Sequence, residues 1–190
     1  IGSRRDRLLA NNQTSVQSWA MPRHKTISDN DVLTQVRHTL LRDGEKAVTF
    51  ASAAKACSLA APTLVQRYGS RDSMVTAALM VGWDGLISAT DAADASALLS
   101  QKGALSMLKT ISAGEDIPAL LAASVRYGDT QDRALGWRAK VEAALTPRFG
   151  GGVRGRETAA MVFAVWQGRM IWDAAGGKGF RLSDLLKRLT

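Results

Sequence analysis

From residue 28 onward the sequence carries apolar residues at helical spacing, and short Gly- or Pro-containing stretches cut it into pieces about 8 to 25 residues long. Ala recurs throughout, and β-branched residues rarely alternate with polar ones, so strands have little support. This pattern predicts an all-α chain. Ser28-Asp29-Asn30-Asp31 has capping-box spacing, and the stripe Val32, Leu33, Val36, Leu40, Leu41 follows it and stops at Gly44. Short helices are expected over about Phe50–Cys57 and Ala61–Tyr68, and Gly69-Ser70 precedes a long helix beginning near Arg71. Further helices are expected over about Ala97–Ser112, Ile117–Tyr127, Gln131–Leu145 and Glu157–Ala175. A last one carries Leu182, Leu185, Leu186 and Leu189 at i, i+3, i+4, i+7.

With 190 residues and 46% hydrophobic content the chain is long enough to bury a substantial core. No apolar run approaches the ~18–20 residues of a membrane span, which argues against an integral membrane protein. A single cysteine, Cys57, permits no intrachain disulfide and favours a reducing compartment. Cys57, His24 and His38 fit no common metal-ligand spacing, so neither a metal nor another cofactor is expected. Cys57 reads as a small buried residue, and the two histidines as surface residues.

The net charge of +8 asks for an anionic partner. Residues 1–75 hold 11 basic and 6 acidic residues, against 14 and 11 in residues 76–190. The first part is therefore the better candidate for contact with a polyanion. Residues 1–27 have neither periodicity nor a signal-peptide core, and are expected to form a flexible basic segment. Met21 is a candidate native start, which would make residues 1–20 upstream or added sequence.

Residues 30–68 read as helix, short helix, tight turn, short helix, the layout of a helix-turn-helix. Leu59 is the apolar plug of the turn, and Ala53, Ala54 and Ala56 allow close helix crossing. In this region the chain resembles the TetR family of bacterial transcriptional repressors. The resemblance is carried by Thr49-Phe50 opening the second helix and by the run SLAAPTLVQRYGSRDSM from Ser58 to Met74. Within it Thr63-Leu64 match the recognition helix, Tyr68 matches the aromatic, and Gly69-Ser70-Arg71-Asp72 match the entry to the fourth helix. Val65 stands where the family often has Tyr, Ala61 offers no polar group, and two positions at the turn depart as well. Ser58 stands where the family usually has glycine, and Ala60 replaces the hydroxyl cap of the recognition helix.

The resemblance implies a helix-turn-helix DNA-binding domain over residues 28–74 and a ligand-binding and dimerisation domain over residues 75–190. It implies a cytoplasmic, homodimeric repressor that leaves a palindromic operator when a small-molecule effector binds, and not an enzyme. Carried onto this chain, base reading falls to Thr63, Gln66 and Arg67, with Ala61 and Val65 against thymine methyls and Pro62 shaping the first turn. Arg71 and the hydroxyls of Thr49 or Ser70 are expected on phosphates. The effector pocket is expected among Met80, Trp83, Met107, Tyr127, Trp137 and Met161. The dimer interface is expected from Phe163, Trp166 and Trp172 with Leu182, Leu185, Leu186 and Leu189. Two other functions compete. One is ligand-independent DNA binding; the other is an all-α enzyme using the bundle pocket, for which no nucleophile–base pair is evident.

Overall fold

The structure is a computed structural model that describes residues 27–177, 179 and 181–189, with the backbone alone for residues 174, 185, 188 and 189. It is all-α, with nine α-helices and no strand among the described residues. The helices are α1 (Asp29–Asp43), α2 (Phe50–Ala56), α3 (Ala61–Tyr68), α4 (Arg71–Ser96), α5 (Gln101–Ile111), α6 (Ile117–Ser124), α7 (Gln131–Leu145), α8 (Gly152–Ala174) and α9 (Leu182–Leu189). No helix among the described residues is long and apolar enough to cross a membrane.

Local chemistry sets most boundaries. Ser28 accepts from the Asp31 N–H at 3.1 Å and starts α1, while the Gly44 N–H closes it onto the Leu40 carbonyl at 3.0 Å. Helix α5 begins at Gln101, later than the periodicity suggests, because the Ser100 hydroxyl accepts from the Gly103 N–H at 3.2 Å. Asp116 caps α6 in the same way, accepting from the Ala119 N–H at 3.1 Å. That helix ends at Ser124, three residues short of the expected Tyr127. Helix α8 starts at Gly152, five residues before the expected Glu157, directly after the turn made by Gly150 and Gly151.

Helix α4 is the spine. It packs against α1, α5, α6 and α7 and buries Met74, Val75, Ala78, Leu79, Trp83 and Leu86. It also crosses the residue 74/75 boundary without a break, so the expected domains share one continuous helix. Gly82 lets α1 and α4 approach closely, since a Cβ there would lie 2.8 Å from Arg37 Cδ. The far half of the core is aromatic. Trp137 of α7 sits 5.6 Å from Trp83, 5.8 Å from Phe163 and 6.2 Å from Trp166, centroid to centroid. Two of the buried indoles donate within the core: Trp83 Nε1 to Ser124 Oγ at 2.9 Å, and Trp137 Nε1 to Thr90 Oγ1 at 3.0 Å.

The fully buried Arg148 side chain closes the end of α4. Its guanidinium donates to the carbonyls of Asp94 (3.0 Å), Ala97 (2.8 Å), Leu98 (3.1 Å) and Ala144 (2.6 Å), and to the Asp94 carboxylate at 2.6 Å. A helix C-terminus leaves carbonyls without partners, and one arginine supplies them here.

Candidate nucleic-acid interface

The short helices α2 and α3 are shaped by their ends. Thr49 and Ser52 form a reciprocal capping box: Thr49 Oγ1 accepts from the Ser52 N–H at 3.0 Å, and Ser52 Oγ accepts from the Thr49 N–H at 2.9 Å. At the other end, the Leu59 N–H reaches the Ala54 carbonyl at 2.9 Å and the Ser58 N–H reaches the Lys55 carbonyl at 3.3 Å. This pairing is a Schellman motif, whose left-handed position normally belongs to glycine. Ser58 occupies it with φ +53°, the one non-glycine residue with positive φ among those described. Ser58 is therefore a strained residue in a position that suits glycine. Leu59 packs back onto the core, as its role as plug requires.

Ala60 begins α3 without a side-chain cap, and Pro62 lies in the first turn, where a missing N–H does no harm. Leu64 is wholly buried and anchors the helix, with Tyr68 half-buried behind it. Pro62, Val65, Gln66 and Arg67 are exposed, and Val65 leaves 45% of its surface open. Thr63 and Ala61 flank this face, each half-buried. At the end of α3, Gly69 takes φ +72° and ψ −62°, and the Ser70 N–H donates to the Tyr68 carbonyl at 2.8 Å. This γ-turn is of the strained hand that suits glycine. Ser70 then caps α4, accepting from the Ser73 N–H at 3.0 Å.

The two expected DNA-contacting arginines are held differently. Arg67 makes one ion pair, Nη1 to Asp29 Oδ1 at 3.0 Å, and the Tyr68 hydroxyl donates to the same oxygen at 3.3 Å. Burial, and next the Asp29 charge, push the Tyr68 phenol up from its ordinary value. Arg71 is enclosed. Nε donates to the Val48 carbonyl at 2.8 Å, Nη2 to the Glu45 carbonyl at 2.6 Å, and Nη1 to the carboxylates of Asp72 (2.9 Å) and Glu45 (3.4 Å). All three nitrogens are occupied, so Arg71 fastens α4 to the 3-10 turn Glu45–Ala47 rather than standing open to an anion. The hydroxyls of Thr49 and Ser70 serve as caps yet remain exposed.

Within residues 27–75 the charges nearly balance, with six basic residues against five acidic. Lys46 and Lys55 are exposed and meet no carboxylate among the described residues. The rest of the excess charge of the first 75 positions falls on residues 1–26, outside the described residues.

Of the residues expected around an effector, Trp83 and Trp137 meet in the core, but the six do not line one cavity. Trp83, Met107 and Trp137 are buried in the core and Met80 is half-buried, whereas Met161 is 49% exposed on the outer face of α8. Tyr127 lines a cleft of about 240 Å³ with Leu40, Leu41, Glu45, Ala122 and Arg126. None of the other five lines that cleft.

The residues expected at a dimer interface divide in two. Phe163, Trp166, Leu182 and Leu186 are buried within this chain. Trp172 is 69% exposed and lines an apolar groove of about 420 Å³ with Val165, Gly168 and Gly177. The side chains of Leu185 and Leu189 lie outside the described residues.

Sequence reasoning missed Asp29, Glu45 and Arg148. Each acts across 26 to 81 positions of chain, and no local spacing marks such a pairing. Compared with known proteins, the chain matches no family model, no curated protein and no solved structure.

Proposed function

We propose that this chain is a homodimeric, DNA-binding transcriptional regulator with a helix-turn-helix of the TetR kind, acting as a repressor released from a near-palindromic operator by a small molecule. The reading rests on one observation above the rest. A Schellman turn joins α2 to α3, Leu64 seats α3 on the core, and Pro62, Val65 and Gln66 are left open on its outer face. A helix seated in that way fits the major groove with its polar side chains against base edges. Gln66 would pair with adenine, Arg67 with guanine, and Val65 and Ala61 would meet thymine methyls. Exposed hydroxyls at Thr49 and Ser70, and the charge of Lys55, suit phosphates. Arg71, bonded to the carbonyls of Glu45 and Val48, ties α4 to the turn that precedes α2.

The groove at Trp172 offers an exposed apolar surface to a second copy, and a dimer reading consecutive major grooves needs its two α3 helices about 34–36 Å apart. One observation favours a second reading, in which DNA binding needs no effector: Trp83, Met107 and Trp137 fill the bundle interior with their own contacts.

Selection of binding sites from random duplexes, followed by footprinting, tests the proposal. Enrichment of a two-fold symmetric sequence at moderate salt is the expected result. Absence of any enriched sequence would overturn it.

A further inference from the structure

Arg67 forms its ion pair with a residue far from it in the chain. Asp29 is the first residue of α1, 38 positions earlier in the chain, and its Oδ1 accepts from Arg67 Nη1 at 3.0 Å. The same oxygen accepts from the Tyr68 hydroxyl at 3.3 Å, so two consecutive residues of α3 are tied to one carboxylate. The carboxylate itself stands on a firm base. Ser28 caps the helix, Ile27 packs on the core, and Val32, Leu33 and Val36 bury the next turns of α1 against α4. A negative side chain in a first helical turn also opposes the helix dipole favourably.

The pair does little for the stability of the fold, since an ion pair this exposed contributes little. Its consequence is geometric. An arginine has five N–H donors on two usable edges, and a bond through Nη1 alone leaves the Nε–Nη2 edge intact. That edge takes no part in the bond to Asp29. It is also the edge that can donate two parallel hydrogen bonds to O6 and N7 of a guanine. Held by Asp29, Arg67 keeps one orientation before DNA arrives, and less side-chain freedom is lost on contact.

We propose that Asp29 is a positioning residue for base reading, fixing Arg67 by one Nη1 bond so that its Nε–Nη2 edge discriminates guanine. The proposal rests on the DNA-binding reading above. Asp29 touches no base; it acts through Arg67, with the Tyr68 hydroxyl steadying the carboxylate.

The test is site selection from random duplexes with the full chain, comparing wild type, Arg67→Ala, Asp29→Asn, Asp29→Glu and Tyr68→Phe, each with its salt dependence. Arg67→Ala should erase a guanine preference of about tenfold or more at one position of each half-site. Asp29→Asn should lower the preference at that same position about three- to fivefold and leave every other position, and the salt slope, unchanged. Asp29→Glu should restore part of it, and Tyr68→Phe, which keeps the ion pair, should retain most of it. Thermal melts of each variant separate a folding defect from a reading defect. A uniform gain in affinity by Asp29→Asn across all sequences, with a steeper salt slope, would overturn the proposal, because Asp29 would then act only as a repelling charge. An unchanged preference would overturn it as well. If wild type enriches no sequence, the DNA-binding reading itself fails, and that outcome is distinct from the other two.

Discussion

The Glu45 carboxylate accepts from Arg126 Nη1 at 2.8 Å, joining the turn after α1 to the end of α6 across 81 positions of chain. The Tyr127 hydroxyl adds a bond of 3.0 Å to the other carboxylate oxygen, which Arg71 also approaches at 3.4 Å. The segment carrying α2 and α3 is thus tied through one carboxylate to the bundle behind it.

This junction is expected to be sensitive to acid. The Arg126 bond first, and the Tyr127 bond next, hold the Glu45 carboxyl below its ordinary value. A depressed folded-state value gives stability that is complete above the unfolded-state value, near 4.3, and is lost as pH falls through the folded one. Glu45→Gln should therefore melt at a lower temperature than wild type at pH 7, with the gap closing below about pH 4. A gap that persists unchanged at pH 3 would show that the contribution is not ionic.

Ser58→Gly should stabilise the protein. A left-handed residue other than glycine costs about 1–2 kcal/mol, and the added freedom of glycine in the unfolded chain returns about 0.5–1. The net gain of about 0.5–1 kcal/mol is within reach of urea unfolding. Gly69→Ala, at φ +72° but with open space around a new Cβ, should shift stability the other way. A loss of stability on Ser58→Gly would show that the serine side chain compensates its own strain.

Arg148→Met should be among the most damaging single changes, costing about 3 kcal/mol or more. It removes five hydrogen bonds, among them those to the carbonyls of Asp94 in α4, of Ala97 just after it and of Ala144 in α7. Arg148→Lys keeps the charge but has no planar fork, and should recover less than half of the loss. Denaturant midpoints close to wild type in both variants would refute this role.

At the α8 surface, Trp172→Ala and Phe163→Ala should part company. Trp172 is exposed, so its removal should leave the melting temperature of a monomer unchanged while shifting sedimentation from dimer toward monomer. Phe163 lies in the aromatic cluster, and its truncation should cost about 3–5 kcal/mol of fold stability. Identical sedimentation of wild type and Trp172→Ala would remove Trp172 from any self-association surface.

How far the sequence reached depended on the range of the interactions involved. Helix α3 is found at its expected residues, Ala61 to Tyr68, because Pro62 and Gly69 act on their own neighbours. Helix α7 likewise matches Gln131–Leu145. The start of α8 was misjudged because a glycine run reads as loop, although the last of the three already opens the helix. In the candidate site, the open positions of α3 follow from helical period around Leu64, so Gln66 and Val65 were legible. The enclosure of Arg71 was not, since Glu45 and Val48 lie 26 and 23 positions away. Trp83 and Trp137 show the same limit: an aromatic at helical spacing looks alike whether it lines a cavity or fills a core, and only its Nε1 partners decide.

The single cysteine acquires a use from its place in this turn. Cys57 closes α2 immediately before Ser58, is 5% exposed, and has its thiol pushed up by burial. Since only the thiolate reacts, alkylation in the native protein must wait for that turn to open. With one cysteine in 190 residues, every labelling event reports the same opening. The labelling rate of the unmodified chain is then a clock for motion between α2 and α3, readable with or without added duplex DNA, and without introducing a probe.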